Sequence, residues 1–462
     1  METPVLETLW DAVTRHGAAA RRVLYDRHGS CTLSALAGGS LFTDLESLRG
    51  RCVLIATREQ LATAIALVEL DGVARRMVLC TPDLSATALA EVAAMAQADL
   101  IVCGAGEAPG AVPLEVRRLA AQPLAAPINR RASHATEWIL LTSGTTGTPK
   151  LVLHTLHSLA GALPRAAPAD ERCVWSTFYD IRRYGGLQIY LRALLGGSAL
   201  LLSAADEPPA DFLARAGAAG VTHLSGTPSH WRRALMSGAA AAMDPKYVRL
   251  SGEVADQPLL DHLRAAYPRA RIAHAFASTE AGVAFDVEDG LAGFPVSLLG
   301  EGRGGIDMKV EDGTLRIRSS RNAARYLGEG ARPLEGGGGY VDTGDLVEMV
   351  DGRYYFRGRR GGVINVGGLK VFPEEVEAVL NADARVRASL VRGRRNPITG
   401  AIVVADVVLA DAARAAGNPE AVKSELLDAC RRALPAHKVP AMLRLVPALE
   451  LTAAGKLVRP GA

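Results

Sequence analysis

The most informative segment of this chain reads Leu141-Thr142-Ser143-Gly144-Thr145-Thr146-Gly147-Thr148-Pro149-Lys150. It follows Trp138–Leu141, an apolar run typical of a buried strand. The two glycines let the backbone turn tightly and present N–H groups to an anion, the hydroxyls can donate to phosphate oxygens, and the lysine adds a compact positive charge. The spacing differs from a Walker A loop, because only two residues separate Gly144 from Gly147. The segment predicts a phosphate-binding loop, and the alternative is a polar turn after a strand.

The composition is that of a globular protein with more than one domain. The 462 residues are too many for one ordinary core, and 49% hydrophobic and 22% charged residues are typical of globular chains. A net charge of +3 is too small to indicate a nucleic-acid or membrane partner. No apolar run approaches the ~18 residues of a membrane span, no signal peptide is recognisable, and the scattered cysteines form no CxxC pair. We therefore expect a cytoplasmic protein without a nucleic-acid partner or a membrane span.

Lysine is rare in this chain, with seven residues among the 52 basic ones. Where arginine is the usual cation, a lysine indicates that a compact ammonium charge is needed. Lys150 and Lys456 are the candidates that the motifs single out.

The order of apolar runs predicts an α/β fold. Strand-like runs at Val53–Ala56, Met77–Cys80 and Leu100–Val102 alternate with helical stretches such as Gln60–Glu69, which is typical of doubly wound parallel sheets. After about residue 300 the pattern changes to antiparallel strands joined by Asp-Gly turns. The last hundred residues predict a small α+β domain with a helix that begins near Pro373. We expect a large N-terminal domain, 1–360, with a β-rich subdomain, and a small mobile C-terminal domain, 361–462.

Four more motifs follow the loop in order: Ala275-Phe276-Ala277-Ser278-Thr279-Glu280, Tyr340-Val341-Asp342-Thr343-Gly344-Asp345, Gly358-Arg359 and Leu451-Thr452-Ala453-Ala454-Gly455-Lys456. Together with the loop they resemble the signatures of the adenylate-forming superfamily, which comprises acyl-CoA synthetases, adenylation domains of nonribosomal peptide synthetases, and luciferases. The resemblance covers about residues 140–456, and the match is closest to acyl- or aryl-CoA ligases. It implies ATP-dependent activation of a small carboxylic acid to an acyl-adenylate.

The resemblance also implies roles for individual residues. Phe276 would stack on adenine, Thr279 would bind the α-phosphate and Glu280 would hold Mg²⁺, for which a carboxylate is a suitable ligand. The residues implied to bind ATP are Thr142, Ser143, Gly144, Thr145, Thr146, Gly147, Thr148 and Lys150 in the loop, and Ser251, Gly252 and Glu253 beside the adenine. The alternative for Thr279-Glu280, taken alone, is a cap at a helix start.

Three more residues complete the implied catalytic site. Asp345 would accept the ribose hydroxyls, and Arg359 would contact ribose or phosphate. Lys456 would bridge the substrate carboxylate and the α-phosphate, where a cation stabilises the developing charge. The alternatives are an Asx turn around Asp345 and a surface lysine near the chain end.

The acyl acceptor is implied by the segment after the arginine motif. The family pivots its C-terminal domain at a position that is Gly361 here, where relatives keep an aspartate or lysine; glycine permits the rotation but lacks a latch. Gly367 and Gly368 match the acyl-CoA synthetase version of the next motif, in which glycine lets pantetheine approach. A thiol acceptor follows, either CoA or the phosphopantetheine of an acyl carrier protein. Transfer to an amine, oxidation as in luciferases, and a non-catalytic nucleotide-binding relative are the alternatives.

The acyl pocket is the least determined part. The resemblance assigns it Tyr184, Gly185, Gly186, Ser225, Gly226 and Thr227. Tyr184 stands where amino-acid activators keep an aspartate, which argues against an amino acid unless the register slips and Asp180 takes that role. We expect Arg182 and Arg183 to face solvent, because buried charge is rare; the alternative is contact with a polar substrate group or pantetheine. Aryl and medium-chain acids remain equally open.

Overall fold

The structure is a computed structural model of the 462-residue chain. It describes residues 8–16, 22–107, 112–125, 132–142, 149–163, 172–328, 331, 333–397, 399–410, 418–452 and 456–458. These residues form an α/β architecture with two large mainly parallel sheets, an antiparallel sheet and a small α+β unit, which confirms the predicted fold class.

The described helices are α1 Leu9–His16, α2 Leu33–Gly38, α3 Gln60–Leu70, α4 Ala86–Ala96, α5 Leu156–Ala160, α6 Tyr184–Leu195, α7 Pro209–Ala218, α8 Pro228–Met236, α9 Gln257–Ala266, α10 Pro373–Asn381 and α11 Pro419–Ala433. None of the helices in the described ranges has the length and apolar character needed to cross a membrane.

The described strands are β1 Val23–Tyr25, β2 Ser30–Thr32, β3 Gly39–Ser40, β4 Cys52–Ile55, β5 Arg76–Leu79, β6 Leu100–Cys103, β7 Glu115–Arg118, β8 Leu124–Ala125, β9 Glu137–Thr142, β10 Lys150–Thr155, β11 Val174–Thr177, β12 Ala199–Leu202, β13 His223–Gly226, β14 Tyr247–Ser251, β15 Arg271–Ser278, β16 Gly282–Val287, β17 Phe294–Pro295, β18 Gly300–Arg303, β19 Ile306–Glu311, β20 Thr314–Ser319, β21 Arg325–Leu327, β22 Val341–Val350, β23 Arg353–Arg359, β24 Ile364–Val366, β25 Leu369–Val371, β26 Val386–Asn396, β27 Gly400–Leu409 and β28 Met442–Leu445.

Two large sheets form the N-terminal region. One has the order β16-β15-β14-β13-β11-β12-β1-β2 and the other β21-β10-β9-β5-β4-β6-β7, with the central strands parallel in both. Their central strands are covered on both faces, and β4 is buried at every position. That double burial explains why these strands are continuous apolar runs in the sequence. The strands that the sequence predicts at 53–56 and 77–80 each begin and end one residue earlier.

A six-stranded antiparallel sheet, β17-β23-β22-β20-β19-β18, follows. The hairpins β19-β20 and β22-β23 turn at Asp312-Gly313 and Asp351-Gly352, as predicted. All four turn residues have positive φ, between 48° and 78°. Two consecutive left-handed residues match the twist of an antiparallel hairpin, and Asp-Gly tolerates them.

The C-terminal region has a core of its own. The sheet β26-β27-β28 and the hairpin β24-β25 pack with α10 and α11 around Val376, Leu380, Leu426 and Cys430, and α10 begins at Pro373 as predicted. The boundary between residues 360 and 361 stays a prediction.

Candidate active site

The predicted phosphate loop joins two neighbouring strands. Thr142 ends β9, Lys150 begins β10, and the two residues are antiparallel register partners. The other loop positions of the prediction, Ser143–Thr148, lie outside the described residues. The strand that precedes the loop is therefore confirmed, and phosphate binding stays a prediction.

Tyr326 connects the loop lysine to the predicted magnesium ligand. It lies on β21, where it is the register partner of Val152 on β10. Its hydroxyl donates to Oε1 of Glu280 at 3.1 Å, and the Lys150 Nζ lies 5.6 Å from the centre of its ring. Burial, and then the negative charge of Glu280, raise the pKa of Tyr326, so the phenol stays a hydrogen-bond donor. The motifs did not indicate this residue.

His154 fixes the backbone of the Thr279-Glu280 motif. Its Nε2 lies 2.7 Å from the Thr279 carbonyl oxygen, which can only accept, so Nε2 carries the hydrogen. Its Nδ1 lies 2.9 Å from the Ser158 hydroxyl. The ring is fully buried, and this burial lowers the pKa of His154 to about 4, so the imidazole is neutral at physiological pH. The sequence analysis missed His154.

Asp345 and Arg359 form an ion pair across neighbouring strands. Asp345 on β22 is the register partner of Arg359 on β23, and Arg359 Nε donates to Asp345 Oδ1 at 3.1 Å. Burial raises the pKa of the Asp345 carboxyl against the opposing charge of Arg359. An Asx turn is present as well, from Gly344 N–H to Asp342 at 2.9 Å. The turn therefore belongs to Asp342, whereas Asp345 pairs with the arginine.

Lys456 reaches the site from the C-terminal region. Leu451 and Leu457 form an antiparallel bridge, and Thr452 N–H donates to the Lys456 carbonyl at 2.7 Å, so Lys456 is paired with the residues that precede it. The next residue, Leu457, donates its N–H to Glu253 Oε1 at 3.1 Å. The residue that follows the predicted lysine is thus hydrogen-bonded to a residue of the predicted adenine segment.

Gly252 explains how the lysine can approach so closely. Gly252 has φ +86°, and a Cβ on it would lie 3.2 Å from Cε and 3.5 Å from Nζ of Lys456. The positive φ favours glycine here, and any larger side chain would also press on the end of the lysine.

The charges around Lys456 are mixed. Crowding by the surrounding protein lowers the pKa of the ammonium group, although the residue as a whole stays exposed to solvent. Arg359 and Arg183 act in the same direction, whereas Glu253 and Asp345 raise the pKa. Lys456 therefore lies within electrostatic reach of the Asp345–Arg359 pair.

Phe276 lies in an aromatic cluster. Its ring stacks on Phe356, with centroids 5.3 Å apart and planes 9° from parallel, and packs against Phe285 at 5.8 Å. The side chain is half-buried. Adenine stacking on this ring stays a prediction.

The residues predicted to line the acyl pocket lie on α6 and at the end of β13. Tyr184 is buried and its hydroxyl bonds the backbone of Val283. Close packing explains why Gly186 and Gly226 are glycines. A Cβ on Gly186 would lie 2.2 Å from the Asp180 carbonyl oxygen, and a Cβ on Gly226 would lie 2.7 Å from the Phe178 ring. Gly185, Ser225 and Thr227 complete the set, and Thr227 also caps α8.

The expectation that Arg182 and Arg183 face solvent is wrong for Arg182. Its side chain is 2% exposed, bonds both oxygens of Asp180, and donates to the Thr57 carbonyl. Buried charge is tolerated here because both partners are saturated with hydrogen bonds. Asp180 is therefore paired with Arg182, which argues against the alternative in which it binds a substrate amine. Arg183 is partly exposed and pairs with Asp83 at 2.9 Å.

The glycines of the hinge region differ in what they require. Gly367 and Gly368 form the two-residue turn of the β24-β25 hairpin with φ +57° and +84°, so the turn alone requires glycine. Gly361 does not have positive φ, and a Cβ on it would meet nothing within 4 Å. In this conformation, therefore, nothing demands glycine at the predicted pivot.

Comparison with known families agrees with this geometry. The AMP-binding enzyme family matches residues 45–317, and its C-terminal domain matches residues 375–456. The chain belongs to the AMP-binding enzyme family. The second match ends on Lys456, the residue that the C-terminal region brings to Gly252.

Three relatives illustrate the similarity. A 2-succinylbenzoate–CoA ligase of Salmonella typhimurium is 29% identical over 56% of this chain and 57% of its own length, so the match spans little more than half of that relative. A crystal structure of the anthranilate CoA ligase AuaEII with anthranoyl-AMP has the same fold, with a TM-score of 0.80 at 19% identity over 99% of this chain and 96% of that one. The amide bond synthetase McbA from Marinactinospora thermotolerans gives 0.75 at 19% over 97% and 98%.

Proposed function

We propose that this protein uses ATP to activate a small carboxylic acid as an acyl-adenylate and then transfers the acyl group to a thiol. The observation that carries the proposal is the position of Lys456. A lysine near the end of the chain lies against Gly252, beside Glu253 and in the field of Asp345. These residues come from separate parts of the sequence, and the fold brings their charges together at one place. Such a grouping of charges is suited to stabilising the charge that develops at a reacting centre.

The first step joins the acid to AMP. A carboxylate oxygen attacks the α-phosphorus, a new P–O bond forms, and the bond to the bridging oxygen of the β-phosphate breaks to release pyrophosphate. Lys456 would hold the carboxylate and the α-phosphate together and offset their negative charge. Thr279, held by His154, would contact the α-phosphate, and Asp345 with Arg359 would hold the ribose.

Magnesium is expected to accompany ATP, and Glu280 suits it. Tyr326 donates to Oε1, and Oε2 receives no hydrogen bond from the residues that the structure describes. A carboxylate with an available oxygen is a ligand that Mg²⁺ prefers. When bound, the ion would neutralise phosphate charge, and Lys150 would add to that effect from the loop.

The second step would pass the acyl group to sulfur. The thiolate attacks the acyl carbonyl carbon, a thioester forms, and AMP leaves. CoA is the preferred acceptor because the Salmonella typhimurium relative and the structural relative AuaEII are both named CoA ligases. The phosphopantetheine of an acyl carrier protein would undergo the same chemistry. In this scheme the domain 361–462 turns about Gly361 and withdraws Lys456 between the steps.

An amine acceptor is the second candidate. Two observations favour keeping it: Gly367 and Gly368 are explained by their turn without pantetheine, and the amide bond synthetase shares the fold. An amine would attack the same carbonyl carbon and release AMP with an amide as product.

Pyrophosphate exchange with a panel of aryl, aliphatic and amino acids tests the adenylation step. We expect exchange with an aryl acid such as 2-succinylbenzoate or anthranilate, the acids named for the relatives. Exchange with no acid would refute the proposal. Adding CoA, a pantetheinylated carrier protein or an amine to preformed acyl-adenylate then identifies the acceptor from the product.

A further inference from the structure

Helix α6 carries a buried polar stripe on an otherwise apolar helix. Tyr184, Gln188 and Arg192 are spaced at i, i+4 and i+8, so they lie on one face. The Arg192 guanidinium lies 5.5 Å from the ring centre of Trp175 on β11. The stripe therefore faces the eight-stranded sheet rather than solvent.

The sheet presents polar side chains to this stripe. Ser225 on β13 and Arg249 on β14 are parallel register partners, so they project from the same face. Arg249 extends across β15, where its register partner is Ala273, to reach Asp286 on β16. Its Nε and Nη2 lie 3.0 and 2.8 Å from the same oxygen of Asp286.

Several polar atoms between the stripe of α6 and this face of the sheet have no hydrogen-bond partner. In the described part of the chain these are Gln188 Oε1, Arg192 Nε and Ser225 Oγ, and Arg249 Nη2 makes no aligned hydrogen bond although it is close to Asp286. Ser225 is fully buried, and Gln188 and Arg249 are each 4% exposed. Buried polar groups are almost always satisfied, so a group of unsatisfied ones in one region marks a place where ordered water or a polar ligand would bind.

The charges are also unbalanced. Burial lowers the pKa of Arg192. The nearby positive charge of Arg249 lowers the pKa of Arg192 further. Asp286 is the carboxylate that acts on both arginines, and it is itself 35% exposed. One positive charge between α6 and the sheet therefore lacks a counterion among the described residues.

The residues of this polar group on the sheet lie deeper along their strands than the proposed reaction centre. Ser225 and Arg249 precede Thr227 and Ser251 by two residues, which places them about 7 Å deeper along the strands. Ser251 is adjacent to Gly252, the residue that Lys456 contacts. An acid whose carboxylate meets Lys456 would extend its acyl portion toward Arg249.

We propose that Arg249, Arg192, Ser225 and Gln188 form a second anion-binding subsite, and that the acid activated here carries a second carboxylate at the end remote from the reacting one. The inference rests on the proposed function and deepens it. A guanidinium binds a carboxylate through two parallel hydrogen bonds, and Ser225 can donate a further one. The reacting carboxylate stays with Lys456, whereas the second one is bound but not activated.

The test compares acids that differ only in the second carboxylate. Suitable pairs are hexanoate and adipate, benzoate and terephthalate, and 4-oxo-4-phenylbutanoate and 2-succinylbenzoate, measured by pyrophosphate exchange. In at least one pair we expect kcat/KM for the dicarboxylate to exceed that of its partner by at least about tenfold, because a site built to bind a polar group rejects the analogue without it. In Arg249→Met and Arg192→Met this preference should fall to about twofold or less.

The controls separate the possible failures. Arg269→Met makes the same change at an arginine that is 79% exposed and paired with Asp244, and it should keep the preference. If Arg249→Met does not fold, as judged by its thermal unfolding, Arg192→Met and Ser225→Ala carry the test. Preference for the monocarboxylate in every pair, or a preference unchanged in all variants, would overturn the subsite and leave adenylation intact. Exchange with no acid of either class, together with no shift of Tm by any dicarboxylate, would overturn both proposals.

Discussion

The proposed nucleotide side and the proposed acyl side of the site differ in how their polar groups are satisfied. On the nucleotide side three groups have a protein partner: the Thr279 carbonyl bonds His154, one oxygen of Glu280 bonds Tyr326, and Asp345 pairs with Arg359. On the acyl side Gln188 and Ser225 are buried with polar atoms that no described residue satisfies.

This difference indicates how each side treats its ligand. The nucleotide side is held in place before ATP binds, which limits the reorganisation needed in the transition state. The acyl side keeps costly unsatisfied groups, which a matching substrate would satisfy and an unmatched one would leave buried. Lys456 lies at the border, since the next residue, Leu457, bonds Glu253 while the Lys456 ammonium group faces the reacting carboxylate in our proposal.

Removing the border lysine should have the largest effect. In Lys456→Ala we expect pyrophosphate exchange to fall by about 100- to 1000-fold, because charge stabilisation of the developing transition state is lost. Thioester formation from supplied acyl-adenylate should change far less. Lys423→Ala is a matched control on α11, where the lysine pairs with Glu420 at the surface. Exchange at the wild-type rate in Lys456→Ala would refute the role given to this lysine.

Loosening the nucleotide side should have the next largest effect. In His154→Gln the Thr279 carbonyl loses a rigid buried donor, and the Thr279-Glu280 segment can shift. We expect kcat for exchange to fall by about 10- to 100-fold, since small displacements of positioning groups have effects of that size. His157→Gln, a change of the same kind three residues further on, at an exposed position of α5, should be close to wild type. Equal effects of the two changes would remove the case for His154 as a positioning residue.

The pH profile of exchange should show the environment of Lys456. Its lowered pKa means that the ammonium proton is lost below the 10.5 of an ordinary lysine. The cationic form is needed, so the rate should decline as pH rises through that pKa, by about tenfold per pH unit beyond it. Lys456→Arg stays charged throughout, and its residual activity should lack this decline. A wild-type rate that stays flat up to pH 10.5 would contradict the assignment.

The Tyr326 hydroxyl tests a smaller part of the nucleotide side. Tyr326→Phe keeps the ring near Lys150 and removes only the hydrogen bond to Glu280. We expect exchange to fall by about three- to tenfold, with a higher Mg²⁺ concentration needed for half-maximal rate. The effect is modest because water can partly replace the lost hydrogen bond to the Glu280 carboxylate. Tyr355→Phe, on β23, serves as a comparison. An unchanged Mg²⁺ dependence would indicate that the hydroxyl does not position Glu280.

The sequence predicted the two sides unequally, and the reason is physical. The parallel strands and the Asp-Gly hairpins could be predicted because local periodicity and turn chemistry determine them. Lys456 and Asp345 could be singled out because their motifs need particular residue types at fixed spacing. His154 and Tyr326 could not, since their roles arise from pairing between β10 and β21 and from contact with residue 279, more than a hundred positions away.

The acyl side did offer a signal in the sequence. Tyr184, Gln188 and Arg192 recur every four residues in a helix that is otherwise apolar, which indicates a buried polar stripe. Whether such a stripe faces solvent or an opposing sheet depends on tertiary packing. The same limit explains the wrong expectation for Arg182, because its partners Asp180 and Thr57 are visible only in the folded chain.

The smallest effect on adenylation is expected at the predicted pivot. Gly361→Ala should change exchange by less than about twofold, because a Cβ there meets nothing and φ is not positive in this conformation. If the pivot rotates into a left-handed backbone conformation, the same variant should slow thioester formation about tenfold, since alanine disfavours that region and glycine does not. Gly362→Ala, at the neighbouring position that is equally open, serves as the control. Equal slowing of both half-reactions would place the defect in the assembled site, whereas slowing of the second alone would identify Gly361 as the residue that turns.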